Sequence, residues 1–412
     1  MKSILVIGGG LVGAASALRL QHEGAAVTLI DPGDMRRAAS YGNAGHLGAE
    51  QVSPWSAWEH VRAAPGLLFG AGGPLDFRWR DAGLWGPWAL RYLGACGAAS
   101  VARGREALST ILGHALPAWQ RLAALAGDES LVKPHGHALV WMSPARADKE
   151  LTAALRNPSG GVRVREMSSA DLARYQGVLR APPAAGLFHD GTGQVRDPQG
   201  ARDAILAAFD AKGGERVRAG AMRVQARKSG VQIQLSDGDA RDADALLVAA
   251  GAWSRGLMRQ LGTYAPLIGE RGYSVQSRDH VWPEDLPTTV FEETSVAMSR
   301  FDSGLRATSF IEFASPNAPA DARKWRRLER HVRDLGVRFS ETPDRWVGPR
   351  PTLPDYLPAI GRLERAPNVL YAFGHAHLGL TMSAITSELI AALAAERDAP
   401  VPLEPLRIER FA

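Results

Sequence analysis

Near the start of the chain, the residues best suited to chemistry are three glycines and an aspartate at fixed spacing. Glycines in a GxGxxG pattern make a tight turn, let the backbone approach a pyrophosphate and let the following helix pack closely on its strand. The N-terminus of that helix carries unpaired N–H groups and a partial positive charge, which attract phosphate. A carboxylate at the end of the next strand accepts hydrogen bonds from ribose hydroxyls. The pattern predicts dinucleotide binding by Gly8, Gly10, Leu11, Val12, Gly13 and Asp31.

A second glycine turn follows an apolar strand near the other end of the chain, in the segment 374–381 that reads GHAHLGLT. A long apolar helix starts there, about 365 residues after the first glycine turn. Two such helix N-termini indicate a large two-ended cofactor. The first helix N-terminus would hold the pyrophosphate of this cofactor. The second would place the positive end of its helix dipole at a ring system that gains negative charge. The turn at 250–252 also allows close backbone contact with a cofactor, although an ordinary strand-to-helix turn explains it equally well.

These residues must be positioned by a βαβ unit at 3–31 and by a strand and helix near the C-terminus. Between them, the segment 286–313 alternates polar and apolar residues, as antiparallel strands do. We therefore predict a mixed α/β and α+β fold, in which both ends of the chain form a Rossmann-like domain and an antiparallel-sheet domain is inserted. The nucleotide-binding domain is predicted at 1–95, 198–262 and 340–412, the inserted domain at 130–197 and 263–339, and a helical segment at 98–126.

The composition is that of a globular protein, with 412 residues, 45% hydrophobic and 22% charged, and a formal net charge of +5. The single cysteine, Cys96, excludes a disulfide framework and suits a reducing compartment, so we predict a cytoplasmic location. No apolar run is predicted to span a bilayer. The densest basic run, at 323–327, is interpreted as a solvated helix face, which argues against nucleic-acid binding. The mild positive charge suits an anionic substrate.

Across essentially its whole length, the chain resembles the FAD-dependent amine and D-amino-acid oxidoreductases, and within them the D-amino-acid dehydrogenases. The segments that carry the resemblance occur in family order. The resemblance implies a glutathione-reductase-like FAD-binding domain with an inserted substrate-binding domain. The matching segments are GGGLVGAASALRL (8–20), SYGNAGHLGAEQVSPW (40–55), AAGAWS (249–254), ERGYSVQ (270–276), VGPRPTLPDYLPAIG (347–361) and GHAHLGLT (374–381).

The resemblance implies FAD bound non-covalently, because the residues around PRPTLPDYLP include no cysteine for a flavin bond. It places Asp31 on the adenosine ribose, the backbone near Met222 at the adenine, and the turn 374–381 at the flavin pyrimidine edge. Other implied contacts lie at the diphosphate, along the sheet edge and at the flavin. They are Ser40, Asn43, Ala44, Gly45, His46, Leu47, Ala250, Gly251, Trp253, Arg350, Gly374, His375, His377, Leu378, Gly379, Leu380 and Thr381.

Binding of an amino-acid carboxylate favours an arginine, ideally with a tyrosine hydroxyl beside it. Arg350 matches the arginine of the family's GxRP motif, and an ion pair with Asp355 is the structural alternative. Arg271 and Tyr273 stand where the family places residues above the substrate. For Arg271 the alternative is pairing with Glu270, and for Tyr273 it is an ordinary strand aromatic.

His46, His375 and His377 are the histidines expected nearest the flavin, and they join the candidate substrate-binding residues. His375 and His377 have no carboxylate or cysteine at ligand spacing, so no metal site is predicted. No residue is assigned as a catalytic acid or base, because hydride transfer from a neutral amine needs none. His135 and His137, in a predicted strand, are interpreted as structural.

The implied function is oxidation of a D-amino acid to its imine, with hydride transfer from Cα to flavin N5. The segments 270–276 and 374–381 are similar to the branch that handles ring substrates such as D-proline or cis-4-hydroxy-D-proline. The alternatives are a sarcosine- or glycine-oxidase-like amine oxidase, a D-amino-acid dehydrogenase of broad specificity, an NAD(P)-dependent dehydrogenase and a non-catalytic flavoprotein subunit. The NAD(P) alternative leaves the second glycine turn unexplained.

A dehydrogenase of this kind needs an electron acceptor other than nicotinamide, such as a quinone or an electron-transfer chain. Five of the eleven tryptophans lie between Trp55 and Trp88. We interpret this segment as a loop that packs over the flavin domain and closes the site. The alternative is a peripheral contact with the inner face of the cell membrane. The sequence does not define the oligomeric state.

Overall fold

The computed structural model describes residues 2–157 and 159–412, and these form two large and two small sheets. The strands are β1 (Ser3–Ile7), β2 (Ala26–Ile30), β3 (His46–Leu47), β4 (Leu75–Phe77), β5 (Val132–Lys133), β6 (His137–Trp141), β7 (Arg163–Glu166), β8 (Ala185–Asp190), β9 (Gly193–Val195), β10 (Glu215–Val217), β11 (Ala221–Arg227), β12 (Gly230–Leu235), β13 (Ala240–Ala243), β14 (Ala245–Val248), β15 (Ile268–Ser277), β16 (Thr288–Phe291), β17 (Val296–Phe301), β18 (Gly304–Ala314), β19 (Asp344–Thr352), β20 (Ala359–Leu363) and β21 (Ala366–Phe373). The α-helices are α1 (Leu11–His22), α2 (Trp58–Leu67), α3 (Ala82–Ala95), α4 (Ala98–Leu112), α5 (Ala115–Leu125), α6 (Pro144–Leu155), α7 (Ser169–Ala173), α8 (Pro198–Ala211), α9 (Ser254–Gln260), α10 (Ala322–Asp334) and α11 (Gly379–Ala394).

The first large sheet has six strands in the order β10-β2-β1-β14-β21-β20. Every neighbouring pair is parallel except β20 with β21. Its central strands are continuous apolar runs, because both faces of a parallel sheet are covered. The strands β1 and β21 flank β14, so the two ends of the chain share one sheet. This arrangement confirms the predicted Rossmann-like domain.

The helices α1 and α11 pack against each other beside this sheet. The buried face of α1 is built largely from small residues such as Ala14, Ala15 and Ala17, which let α11 approach closely. Contrary to our prediction, one segment, Ala376–Ala394, is long and apolar enough to cross a membrane. However, 78% of its most apolar window is buried inside the protein. We therefore interpret α11 as a central helix of the core.

The second large sheet has eight strands in the order β19-β15-β18-β17-β16-β6-β8-β7, and β4 pairs with β18 as a ninth. The pairs are antiparallel apart from β16 with β6 and β18 with β4. This confirms the predicted second sheet. Two strands that we had assigned to the nucleotide-binding domain, β19 and β4, belong to it instead. Their partners lie far away in the sequence, so local pattern does not reveal the pairing.

The fold also contains two small sheets and two consecutive helices in the segment 98–126. The strands β11, β12 and β13 form one small sheet, and β3, β9 and β5 form the other. The latter places His46–Leu47 beside Gly193–Val195. The helical segment predicted at 98–126 is two helices, α4 and α5, which are separated at residues 113–114.

A buried ion network fastens α10 to the second large sheet. Lys324, on α10, is fully buried. Its Nζ lies 2.5 Å from the carboxylate of Asp76, 2.9 Å from that of Glu312 and 3.3 Å from that of Asp321. Arg271 extends the network by pairing with Glu312 at 3.0 Å. Our interpretation of the basic run around Lys324 as a solvated face is therefore wrong for this residue, whose three carboxylate partners compensate for its burial.

Candidate active site

A cavity of about 1530 Å³ is lined by residues of both large sheets. Gly8, Asp31 and Met222 line it on the side of the first glycine turn. Arg350 and His377 line it on the side of the second large sheet and the second glycine turn. One cavity therefore reaches both predicted helix N-termini, as a two-ended cofactor requires.

The first glycine turn leaves no room for side chains at two of its positions. Gly8 has φ +109°, and a Cβ there would lie 2.4 Å from the carbonyl oxygen of Ala249. A Cβ on Gly13 would lie 1.8 Å from the carbonyl oxygen of Gly8. At Gly10 the nearest atom would be Ser40 Oγ at 3.9 Å, so this glycine leaves open space on the cavity. The helix α1 follows Gly10 without a side-chain cap, which leaves its first amides available for phosphate.

Asp31 is held in position by backbone amides at the end of β2. One carboxylate oxygen accepts a hydrogen bond from Gly9 N at 2.6 Å, and the other accepts one from Gly33 N at 2.7 Å. The side chain of Met222 is 62% exposed and lies at the edge of the cavity. Both positions fit the roles that the resemblance implies for the ribose and the adenine.

The second glycine turn and the segment around His46 meet at Thr381. Gly374 has φ +82°, and a Cβ there would lie 2.5 Å from Leu353 Cδ1. Thr381 Oγ1 accepts a hydrogen bond from Gly48 N at 3.0 Å and donates one to the carbonyl oxygen of His46 at 3.4 Å. Two segments that are more than 300 residues apart therefore form one wall of the site.

The residues present fit FAD. Ser40 Oγ and Trp253 Nε1 lie on the cavity wall and are buried without a partner in the described part of the chain, as hydrogen-bonding groups for a bound molecule would be. Most of the residues predicted to contact the cofactor line the cavity. The exceptions shape the site from behind its wall, and they are Gly13, Gly45, Leu47 and Gly374.

Arg350 lies on the cavity wall, and its side chain is 23% exposed. It stands directly opposite Glu270 across the β15–β19 ladder. Its Nη1 donates to Glu270 Oε1 at 3.1 Å and to the carbonyl oxygen of Phe310 at 3.0 Å. A Cβ on Gly272 would lie 2.3 Å from Nη2, so the guanidinium rests on this glycine. The alternative ion pair with Asp355 is wrong, because that carboxylate pairs with another arginine of the chain.

Glu270 and Tyr356 support Arg350, and the sequence analysis did not assign them to the site. Glu270 is fully buried and also accepts hydrogen bonds from Thr352 Oγ1 at 3.3 Å and from the hydroxyl of Tyr356 at 3.1 Å. Burial and the charge of Glu270 raise the pKa of Tyr356 well above its usual value, so this hydroxyl remains a donor. The sequence did contain one sign of the role of Glu270. In a β-strand, residues two positions apart lie on the same face, so Glu270 shares a face of β15 with Gly272.

The predicted substrate contact of Arg271 is wrong, because this residue does not line the cavity, whereas Tyr273 does line it. Side chains alternate along β15, so both residues point away from Arg350. Arg271 pairs across the ladder with Glu312 at 3.0 Å and is 2% exposed. The hydroxyl of Tyr273 donates to the same carboxylate at 2.9 Å, while its ring lines the cavity. Burial raises the pKa of Tyr273, so the hydroxyl stays protonated and committed to Glu312.

His375 and His377 lie close together but differ in their contacts. The Nε2 of His375 is 3.1 Å from Thr386 Oγ1, and burial lowers the pKa of His375 to about 3. The ring of His377 lies 4.5 Å from that of Trp55 between centroids. Burial and the charge of Arg350 lower the pKa of His377 to about 3. Both imidazoles are therefore neutral at physiological pH.

His46 also lines the cavity, where it contacts Glu50 and His137. Glu50 was not predicted as a site residue. His137, which we interpreted as structural, also lines the cavity, and within the described residues both of its ring nitrogens are buried without a partner. Antiparallel pairing of β6 with β8 brings His137 there, and this pairing is not visible in the local sequence.

The tryptophan-rich segment closes one side of the cavity. Trp55, Trp88 and Tyr92 line it. The indole N–H of Trp88 donates to the carbonyl oxygen of Thr352 at 3.1 Å, and the hydroxyl of Tyr92 donates to that of Trp55 at 2.9 Å. This part of the segment packs over the site, as we predicted.

The fold and the site together define a class of protein. A glycine turn and a carboxylate for a dinucleotide, a second helix N-terminus on the same cavity, and a fixed arginine are the features of an oxidoreductase that binds FAD and a small anionic substrate.

The chain belongs to the DAO family of FAD-dependent oxidoreductases, which it matches over residues 3–393. It is 33% identical over 424 aligned positions to a D-amino-acid oxidase of Bradyrhizobium diazoefficiens, covering 100% of this chain and 99% of the relative. It is 28% identical to a D-amino acid dehydrogenase of Neisseria meningitidis, over 99% of each. Glycine oxidase from Geobacillus kaustophilus has the same fold, with a TM-score of 0.72 and 19% identity over 99% of each chain. The prediction of an FAD-dependent oxidoreductase of the D-amino-acid oxidase and dehydrogenase group is confirmed.

Proposed function

We propose that the protein oxidises the Cα–N bond of a D-amino acid to an imine. The observation that carries the proposal is the placement of Arg350, which Glu270 and a backbone carbonyl fix on the cavity wall. Arg350 would bind the substrate carboxylate through charge-assisted hydrogen bonds and thereby orient the Cα–H bond. Bound FAD supplies the oxidising equivalents. The names of the two relatives support the D configuration.

We further propose a ring substrate such as D-proline or cis-4-hydroxy-D-proline. The wall beside Arg350 is aromatic: Trp55 lies 4.5 Å from His377 and 6.0 Å from Tyr356 between ring centroids. Such a wall suits the compact apolar face of a five-membered ring. The similarity of segments 270–276 and 374–381 to the ring-substrate branch supports the same choice. The alternatives are a sarcosine- or glycine-oxidase-like activity and a D-amino-acid dehydrogenase of broad specificity.

The experiment is anaerobic reduction of the purified holoenzyme, followed by loss of flavin absorbance. The substrates compared are cis-4-hydroxy-D-proline, D-proline, D-alanine, D-arginine, sarcosine and L-proline. We expect the ring D-amino acids to reduce the flavin fastest, by about tenfold or more. Fastest reduction by sarcosine would favour the amine-oxidase alternative. The proposal would be refuted if dithionite reduced the flavin but none of the amino acids did.

Arg350→Lys is expected to weaken substrate binding, because an ammonium cannot reproduce the fork geometry of a guanidinium. We expect the dissociation constant from anaerobic titration to rise about 30-fold or more, equivalent to about 2 kcal/mol. Arg345→Lys is the matched control, since Arg345 lies on the same strand and pairs with Glu329 near the surface. It should leave the constant unchanged. Equal constants for wild type and Arg350→Lys would exclude Arg350 as the carboxylate-binding residue.

We propose that a quinone or an electron-transfer chain reoxidises the flavin, with the protein peripheral to the inner face of the cell membrane. Trp58, Trp79 and Leu90 are 46%, 76% and 72% exposed, and Arg62 and Arg80 are exposed nearby in the sequence. Apolar side chains flanked by arginines suit an anionic lipid surface. Co-sedimentation with anionic vesicles, lost in Trp79→Gln, would support this placement. Rapid peroxide formation with oxygen as acceptor would instead favour an oxidase.

A further inference from the structure

Four ionisable side chains on the cavity wall take no part in holding Arg350: His46, Glu50, His137 and His189. His46 Nε2 lies 3.0 Å from Glu50 Oε1, and the His137 ring stacks on the His46 ring at 4.2 Å between centroids. The His189 ring follows at 5.1 Å from that of His137. Strand register fixes this row, because His137 and His189 are direct partners in the β6–β8 ladder. We call these four residues the Glu50 cluster.

Much of the hydrogen-bonding capacity of the Glu50 cluster is unused. In the described ranges, Glu50 Oε2, His46 Nδ1 and both ring nitrogens of His137 are buried without a partner. The side chains of Glu50 and His137 are only 8% and 6% exposed. A carboxylate oxygen and the unprotonated nitrogens of neutral imidazoles are acceptors. A ligand group that carries positive charge and several N–H donors complements them.

The Glu50 cluster, Arg350 and His377 all line the same cavity. Burial has the largest effect on the pKa of His377, but the charge of Arg350 lowers it further and that of Glu50 raises it. Charges act on a neighbour with this effect only over short distances. The cavity thus presents a positive group, Arg350, and a negative group, Glu50. This pairing of charges suits the carboxylate and the ammonium of one amino acid.

A free amino acid carries an ammonium group at neutral pH, and its nitrogen needs a free lone pair before the Cα–N bond becomes a C=N bond. We propose that Glu50 binds the ammonium group of the substrate and, together with His46, takes the proton that leaves it. This inference rests on the proposed function, because it assigns the amino end of the substrate whose carboxylate Arg350 binds.

The step balances without a further reactant. One N–H bond of the ammonium breaks, and its electron pair stays on nitrogen as the lone pair. The proton moves to the carboxylate–imidazole pair, where His46 Nδ1 has no hydrogen-bond partner among the residues that the structure describes. The substrate nitrogen loses one positive charge, and the Glu50 cluster gains one. His137 and His189 extend the row of imidazoles away from His46.

The surroundings keep Glu50 ionised, as binding of an ammonium requires. Burial raises the pKa of Glu50, but His46 and then His137 and His189 lower it, so that it lies well below its usual range. Burial lowers the pKa of His137 and of His189, and both remain neutral. His377 is neutral for the same reason. Glu50 is therefore a carboxylate in a row that contains the neutral imidazoles of His137 and His189 at physiological pH.

The test is the pH dependence of flavin reduction in Glu50→Gln, measured anaerobically by stopped flow on the holoenzyme at saturating cis-4-hydroxy-D-proline. Glutamine keeps the size of glutamate but cannot take up a proton. We expect the wild-type rate to be flat from neutral to alkaline pH. The Glu50→Gln rate should be about 10²–10³-fold lower at pH 7 and should recover about tenfold per pH unit. This recovery reports the rising fraction of free amine, which a structural role of Glu50 would not produce.

Glu292→Gln is the matched control, because Glu292 is a half-buried glutamate on the wall of the same cavity. It should keep wild-type rates, and the flavin spectrum reports correct folding of each variant. The proposal for Glu50 would be overturned if Glu50→Gln reduced the flavin at the wild-type rate, or if its rate were lowered by the same factor at every pH. Either result would leave the proposed function intact. Ligand atoms of His46, Glu50 and His137 lie within 4.8 Å of one another. The proposal for Glu50 would therefore also be overturned if the wild-type protein bound a stoichiometric divalent metal that the Glu50→Gln variant lost. A wild-type flavin that no amino acid reduces would refute both this inference and the proposed function.

Discussion

Gly13→Ala is expected to destabilise the protein by about 3 kcal/mol and to release its flavin. The added methyl would lie 1.8 Å from the carbonyl oxygen of Gly8 and 3.0 Å from its carbonyl carbon. Both atoms belong to the backbone, so no side-chain movement relieves the overlap, and α1 must shift away from β1. That shift moves the first amides of α1 away from the pyrophosphate. Thermal unfolding and the fluorescence of released flavin measure the two effects.

Gly10→Ala separates cofactor binding from packing in the same turn. A methyl there meets only Ser40 Oγ, at 3.9 Å, and the backbone of Gly10 has φ −66°, which alanine adopts readily. We expect this variant to fold with nearly wild-type stability but to bind FAD weakly, because the methyl stands where the phosphate approaches. A Gly13→Ala protein that keeps its melting temperature would contradict the packing argument.

Lys324→Ala is expected to cost about 3–5 kcal/mol of unfolding free energy. The side chain is fully buried, and its Nζ lies within 3.3 Å of three carboxylates. Removing the ammonium leaves Glu312, itself 3% exposed, with only Arg271 to balance it. Chemical denaturation monitored by tryptophan fluorescence measures the loss, and flavin binding should change little because none of the charged residues of the network lines the cavity.

The double variant Lys324→Met, Glu312→Gln tests the origin of that loss. It removes one buried cation and one buried carboxylate together, so it should be more stable than Lys324→Met alone. If the double variant is no more stable than the single one, the loss comes from packing rather than from uncompensated charge.

The residues that the sequence predicted correctly act through local geometry or a motif. The spacing of Gly8 and Gly13 describes a turn within one βαβ unit, and their steric limits follow from that unit alone. Arg350 was singled out because it matches the arginine in the GxRP motif of the family that the chain resembles. The prediction of a two-ended cofactor rested on two helix N-termini that each have a recognisable glycine turn, and the resemblance to the family identified that cofactor as FAD.

The residues that the sequence missed are fixed by pairing between distant strands. Glu270 and Arg271 are neighbours in the sequence but lie on opposite faces of β15, so a choice between them needs the register of the sheet. The ladder with β19 places Glu270 opposite Arg350, and the ladder with β18 places Arg271 opposite Glu312. His137 reaches the cavity only through such a ladder. Local patterns contain no information on these partners.

The position of β14 between β1 and β21 has a consequence for synthesis of the chain. The first glycine turn leaves the ribosome long before β21 and α11, the strand and helix that complete the cavity. Until they emerge, β14 has an open edge and α1 lacks the helix that packs on it. A nascent chain that lacks β21 and α11 therefore has only part of the cavity wall, so the cavity can be completed only after these two segments have emerged.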